Sequence, residues 1–267
     1  MSKGHHESVP APGDAAPAVP LYEERAYHSA SLHREQSYAC MLPDGAIASG
    51  RRYPLLVLLH GHSGGFRDWA ACTRIRKYLA GRNLIVVCPD GGNGWYTNGV
   101  AGGERREDDI MEDLLPAVER ELPVLPAPAR AVAGLSMGGF GAVKLALKHP
   151  GAFRIAASHS GAFAVTERPE RSAIFGDPEL HAAFRRREGI PWLAEQALCG
   201  PATLRPALVF DCGQSDPLLD DNRRLSDHLN FIGYGHTYRE MPGYHTWPYW
   251  DRAFRTALPE IARAVGG

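Results

Sequence analysis

Ala131-Val132-Ala133-Gly134-Leu135-Ser136-Met137-Gly138-Gly139 is the stretch on which the fold turns: an apolar strand runs into a glycine-flanked serine, and a helix over 139–149 runs out. In that setting G-x-S-x-G marks a nucleophile. The serine stands on a strained strand-to-helix turn, its hydroxyl projecting beyond the sheet while the following N–H groups and the helix N-terminus face developing negative charge. Gly134 and Gly138 permit close backbone approach, and Gly139, Gly141 and Ala142 let the helix lie tightly on the strands. A glycine-rich βα turn with an incidental serine would carry the same pentapeptide, so the surrounding chain has to separate the two.

Short unbroken apolar runs recur at Leu55-Leu56-Val57-Leu58-Leu59, Leu84-Ile85-Val86-Val87-Cys88, Ile155-Ala156-Ala157 and Ala207-Leu208-Val209-Phe210, with helical patterns between most of them. Such runs mark strands buried on both faces, hence a mostly parallel sheet covered by helices, the α/β class. Helices are predicted over 109–121, where Ile110, Leu114, Val118 and Leu122 share a face, and over 220–232, with Leu225, Leu229 and Ile232. A strand over 236–241 and a helix over 249–264 close the series. Ahead of it, 25–30 and 34–42 alternate as two antiparallel strands closed by a Pro43-Asp44-Gly45 turn. Residues 160–206 are longer and less regular than a plain crossover and read as a cap-like excursion over the site.

The 267 residues fit a single domain over 21–267, and 44% hydrophobic content suffices for one core. Residues 1–20 are polar and rich in Pro and Ala, lack the apolar region of a signal peptide, and read as a disordered tail. No apolar segment reaches the roughly 18 residues that span a bilayer, so no membrane partner is expected. A net charge of −1 gives no reason to expect nucleic acid. Cys40, Cys72, Cys88, Cys199 and Cys212 show no C-x-x-C spacing, which argues against a disulfide framework and a zinc site and for reduced thiols in a cytoplasmic protein. His5 and His6 sit in the tail, which offers a metal no fixed geometry.

A serine hydroxyl needs a base to take its proton, and the base needs an acid to hold its tautomer. In an open α/β sheet both stand past the C-terminal ends of strands. Asp216, in Cys212-Gly213-Gln214-Ser215-Asp216-Pro217, follows one strand; His245, in Pro242-Gly243-Tyr244-His245-Thr246-Trp247, follows the last. The chain order Ser, Asp, His is that of α/β-hydrolases. Asp211, at the strand end before the turn, competes for the acid, as do Asp220 and Asp221, which suit a helix start. His60, His62, His159 and His236 compete for the base. His159 is the strongest of these rivals, its alternative being a core or rim histidine.

Oxyanion donors are expected from the Met137 amide, directly after the nucleophile, and from Leu59-His60-Gly61-His62-Ser63-Gly64-Gly65, with the His62 amide first choice. His60-x-His62 lacks a third ligand for zinc, so no metal is assigned. Trp95 and Tyr96 are candidates to line the acyl pocket, a packed corner being their competing role. Trp247, Tyr249 and Trp250 are expected to fix the base-bearing loop by burial.

These residues resemble the putative-esterase family of α/β-hydrolases, which includes S-formylglutathione hydrolases, tributyrin-type, feruloyl and acetylxylan esterases, and mycolyltransferases. The resemblance runs through Ser37-Tyr38, Leu42-Pro43, Leu58-Leu59-His60-Gly61 with Trp69, Asn93-Gly94-Trp95-Tyr96-Thr97-Asn98, Glu112-Asp113-Leu114, the Ser136 elbow, Cys212-Gly213 with Asp216 and Asp221-Asn222, and His245 with Trp247 and Trp250. The Trp95-Tyr96-Thr97-Asn98 portion is most similar to the tributyrin and feruloyl branch. The resemblance implies an α/β-hydrolase fold and a carboxylesterase with Ser136, Asp216 and His245 as its triad. A small-molecule ester cleaved through an acyl-enzyme, with no cofactor, is the expected chemistry.

Homo-oligomerisation is implied by the resemblance alone. His62-Ser63-Gly64-Gly65 stands where S-formylglutathione hydrolases carry a cysteine-containing stretch, which counts against a glutathione thioesterase. An acyltransferase would use the same triad and differ in excluding water. An idle ligand- or carbohydrate-binding module would share the scaffold without needing an intact nucleophile, base and acid.

Overall fold

The computed structural model describes residues 17–99, 103–167 and 185–267. Most of the expected tail (1–16) and the middle of the expected excursion (168–184) lie outside the described residues.

β1 (Leu21–Ser29) and β2 (Arg34–Leu42) pair antiparallel from Leu21↔Leu42 to Ser29↔Arg34. Their hairpin turns at 30–33, where His33 has a φ of 55° and Ser29 Oγ accepts the Leu32 N–H at 3.1 Å. Asp113 accepts the Ser31 N–H there at 2.9 Å. Pro43-Asp44-Gly45, expected to close this pair, instead leads the chain away after β2, with the Ala46 N–H donating to the Pro43 carbonyl at 3.0 Å. Side-chain acceptors at the true turn do the work that glycine and proline usually signal.

Six further strands complete one sheet: β3 (Leu55–Leu59), β4 (Ile85–Pro89), β5 (Arg130–Leu135), β6 (Ile155–His159), β7 (Ala207–Gly213) and β8 (His236–Met241). Its order is β1-β2-β4-β3-β5-β6-β7-β8, with every pair from β4 to β8 parallel. Helices among the described residues include α1 (Asp68–Cys72), α2 (Ile75–Tyr78), α3 (Arg106–Asp108), α4 (Leu115–Glu121), α5 (Met137–Lys148), α6 (Ile190–Cys199), α7 (Leu219–Phe231) and α8 (Trp247–Val265). Leu55, Val57 and Leu59 pack on one face with Val118, Phe140 and Leu145. Leu56 and Leu58 pack on the other with Trp69, Phe254 and Ile261. Helical cover on both faces is why these strands read as unbroken apolar runs rather than as alternating ones.

The helix predicted over 109–121 is broken by a π turn, Asp109–Leu114, between α3 and α4, where the Leu115 N–H reaches back to the Ile110 carbonyl. Pro116 has no N–H for the Glu112 carbonyl, and a widened turn just before it accommodates that loss. Beside α5, the buried Lys144 Nζ lies 2.6 Å from Glu107, 3.2 Å from Glu188 and 2.5 Å from the Tyr96 carbonyl. Lys148 bridges the same two carboxylates at 2.9 and 2.6 Å. Burial alone would raise the Glu107 pKa, but the Lys144 charge, the His149 bond and the Lys148 charge hold this carboxyl well below the usual range. Among the described residues no helix is long and apolar enough to cross a membrane.

Candidate active site

Ser136 sits between β5 and α5 with φ 53° and ψ −115°, a conformation that non-glycine residues rarely adopt. Its backbone is held on both sides: the N–H donates to the His159 carbonyl at 2.9 Å, and the carbonyl accepts from Phe140 at 3.0 Å and Ala162 at 3.2 Å. The flanking glycines are needed for close approach. A Cβ on Gly134 would fall 2.3 Å from the Gly138 carbonyl oxygen, and one on Gly138 2.5 Å from that of His60. Strand, turn and helix are therefore locked together with the serine at the tip.

His245, on the loop between β8 and α8, places Nε2 3.0 Å from Ser136 Oγ. Its Nδ1 lies 2.9 Å from Oδ2 of Asp216, on the loop after β7, whose Oδ1 accepts the Leu218 N–H at 2.8 Å. Burial pushes the Asp216 pKa up, but the bonds from His245, the Leu218 N–H and Ser160 outweigh it and hold the carboxyl below its ordinary range. It thus stays ionised beside the imidazole. The structure brings Ser136, Asp216 and His245 into one hydrogen-bonded chain.

The rivals do not join this chain. Asp220 and Asp221 stand in the first turn of α7. His236 bonds Ser226 and the Tyr234 carbonyl. His60 is buried with Nδ1 2.7 Å from the Gly61 carbonyl and Nε2 accepting the Gly91 N–H at 2.8 Å, so both ring nitrogens serve the backbone. His159 and Asp211 pair with each other at 2.7 Å.

Met137 opens α5, so its N–H has no intrahelical acceptor. The His62 N–H likewise finds no hydrogen-bond partner among the described residues. Its loop is pinned on either side, because Ser63, at φ 61°, donates its N–H to Asn93 Oδ1 at 2.7 Å, and the Tyr96 hydroxyl donates to the His60 carbonyl at 3.0 Å.

Two clefts meet at Ser136 and share His62 and His245. One, of about 380 Å³, is lined by Trp95, Ala162, Val165, Pro217, Leu218 and Asp221. The other, of about 280 Å³, is lined by Asp68, Trp247 and Trp250 with the glycine loop. Trp95 therefore stands where an acyl-pocket residue was expected. Tyr96 does not: it is fully buried and lines neither cleft, its ring wedged so closely against Gly91 and Gly141 that a Cβ on either would meet it within 2.6 Å. Ala162, Val165, Pro217 and Leu218 carry no chemistry of their own and went unnoticed in the sequence, as did Asp68, whose carboxylate accepts the Gly65 N–H at 3.0 Å. Trp250 stands edge-on to the His245 ring at 4.9 Å.

Residues 29–261 match the family described as "Putative esterase". The chain belongs to that family. One relative, an esterase of Mycobacterium tuberculosis, is 44% identical over 116 residues, which are 41% of this chain. That match spans only 25% of the longer relative. An acetyl esterase of Caldicellulosiruptor saccharolyticus is 27% identical over 226 residues, 78% of this chain and 83% of its own. Among solved structures, FphF, a fluorophosphonate-binding serine hydrolase of Staphylococcus aureus with substrate bound, matches with a TM-score of 0.81 at 26% identity, over 93% of this chain and 99% of that one. The fold expected of this family member, that of the α/β-hydrolases, is the fold it has.

Proposed function

We propose that this protein is a serine carboxylesterase that hydrolyses small, short-acyl esters through an acyl-enzyme. The observation that carries the reading is the chain Ser136 Oγ, His245 Nε2, His245 Nδ1, Asp216 Oδ2, linked at 3.0 and 2.9 Å and mounted on the strained turn. His245 Nε2 takes the hydroxyl proton as Ser136 Oγ attacks the ester carbonyl carbon, and Asp216 stabilises the imidazolium that forms. The carbonyl oxygen becomes an oxyanion facing the Met137 and His62 N–H groups. Collapse expels the alcohol, which leaves with the proton from Nε2. Water then attacks the acyl-enzyme, giving one proton to Nε2, and the second collapse returns it to Ser136 Oγ and frees the acid.

The cleft beside Trp95, with Ala162, Val165, Pro217 and Leu218 for walls, supports a compact apolar acyl group. The acetyl esterase relative points the same way. The test is covalent. A fluorophosphonate should add its phosphonyl mass to the peptide containing Ser136 and abolish p-nitrophenyl acetate turnover. Ser136→Ala should block labelling and lower turnover by about 10³-fold or more while the protein stays folded. Undiminished turnover by folded Ser136→Ala protein would remove the reading.

A further inference from the structure

The residues that competed with the triad in the sequence are each other's partners. His159 ends β6, and Asp211 lies directly across the register from it in β7, with His159 Nδ1 2.7 Å from Asp211 Oδ2. The second carboxylate oxygen accepts the Tyr249 hydroxyl at 2.8 Å, from the first turn of α8. All three side chains are buried. Burial, and then the Asp211 charge, push the Tyr249 pKa far up, so the phenol remains a donor. The imidazole packs against both Trp69 and Phe254, each ring edge-on at 6.2 Å, and its Nε2 has no hydrogen-bond partner among the described residues. Nδ1 therefore carries the proton toward Asp211, and Nε2 keeps a lone pair among apolar rings.

Neither His159 nor Asp211 lines the clefts at Ser136. What they touch is the frame of the triad. The His159 carbonyl accepts the Ser136 N–H at 2.9 Å, and the Asp211 carbonyl accepts the Ser160 N–H at 2.8 Å. Ser160 Oγ accepts Trp250 Nε1 at 3.2 Å, and Trp250 is the residue packed edge-on against His245. Tyr249 and Trp250 are neighbours at the start of α8, directly after the loop that carries the base. The buried pair thus ties the ends of β6 and β7 to each other and to that helix start.

We propose that His159, Asp211 and Tyr249 are positioning residues that hold the start of α8, and with it His245, at bonding distance from Ser136. The inference rests on the esterase reading above. A buried carboxylate, even with its donors in place, contributes little net stability relative to an apolar replacement of the same volume. Its contribution here is directional: one carboxylate offers two acceptors at fixed angles, one to each partner. Misplacing reacting groups by about 1 Å costs on the order of 100-fold in rate. Because the cleft beside Trp95 takes none of its walls from α8, the loss of one of these bonds should appear in kcat and leave KM alone.

Tyr249→Phe keeps the ring and deletes the donor; Asp211→Asn keeps the volume and deletes the charge. In each, kcat for p-nitrophenyl acetate should fall about tenfold or more with KM within about twofold, and the rate of fluorophosphonate labelling should fall in step. The unaltered protein, assayed alongside, tests the esterase reading by itself, and absence of turnover there removes both claims. Normal turnover in the unaltered protein with both variants within about twofold of it in kcat overturns the positioning role alone. So does a loss confined to thermal stability, with kcat per labelled site unchanged. If Asp211→Asn does not fold, Tyr249→Phe decides.

Discussion

Asp216→Asn is the substitution for which the geometry fixes the outcome most tightly. Oδ1 of Asp216 accepts the Leu218 N–H at 2.8 Å, and Oδ2 faces His245 Nδ1 at 2.9 Å. Asparagine keeps the shape and loses one acceptor. Since the Leu218 N–H can only donate, the amide oxygen is held on that side and the NH₂ turns toward His245. A donor there requires an unprotonated Nδ1, so the imidazole proton moves to Nε2, 3.0 Å from Ser136 Oγ. The nitrogen that should receive the serine proton then already holds one. The expected loss is that of a triad with its base in the wrong tautomer, about 10⁴-fold in kcat, or about 5 kcal/mol of barrier. The assay is steady-state p-nitrophenyl acetate turnover by protein whose thermal midpoint stays within a few degrees of the original, because the Leu218 bond survives the change. A kcat within about tenfold of the unaltered protein would refute the tautomer argument. A near-silent Asp216→Asn beside a crippled Asp220→Asn or Asp221→Asn would move the acid itself.

Lys144→Met should cost about 3–5 kcal/mol, since it leaves Glu107 and Glu188 buried beside one cation fewer. At about 2 °C per kcal/mol for a chain of this size that is roughly 6–10 °C in thermal midpoint, and a shift below about 2 °C would mean the network is neutral. The deficit should also depend on pH. Glu107 is held below its ordinary pKa in the folded protein, so its contribution is complete above the unfolded carboxylate pKa and is lost as pH falls through the folded one. The gap between Lys144→Met and the unaltered protein should therefore narrow below about pH 4, and a gap that widens in acid would contradict the sign. Across p-nitrophenyl esters from acetate to palmitate, kept below micelle formation, kcat/KM should peak at short acyl chains. A deep apolar channel would instead add up to about 0.8 kcal/mol per methylene, about fourfold each, and a maximum at octanoate or longer would rule out the compact cleft.

The parts of this molecule that were readable in one dimension are those where a physical demand falls on consecutive residues. β3 and β4 are covered on both faces, so every position had to be apolar, and the runs stood out. The turn at Ser136 needs glycine at 134 and 138 because backbones meet there, and Asp216 and His245 declared themselves by lying past strand ends. Trp95 and Tyr96 show the limit. Both have positive φ, 54° and 52°, without a glycine to announce it, and one side chain enters the cleft while its neighbour is buried against two glycines in the core. His159 and Asp211 show it more sharply, because nothing along the chain says that residues 52 apart share a sheet register. Once β6 and β7 are paired the two dyads sort themselves. Asp211 is still inside the pleat, its carboxylate committed beneath α8 to His159 and Tyr249. Asp216, on the loop past the end of β7, is free of the pleat and meets the histidine that meets the serine.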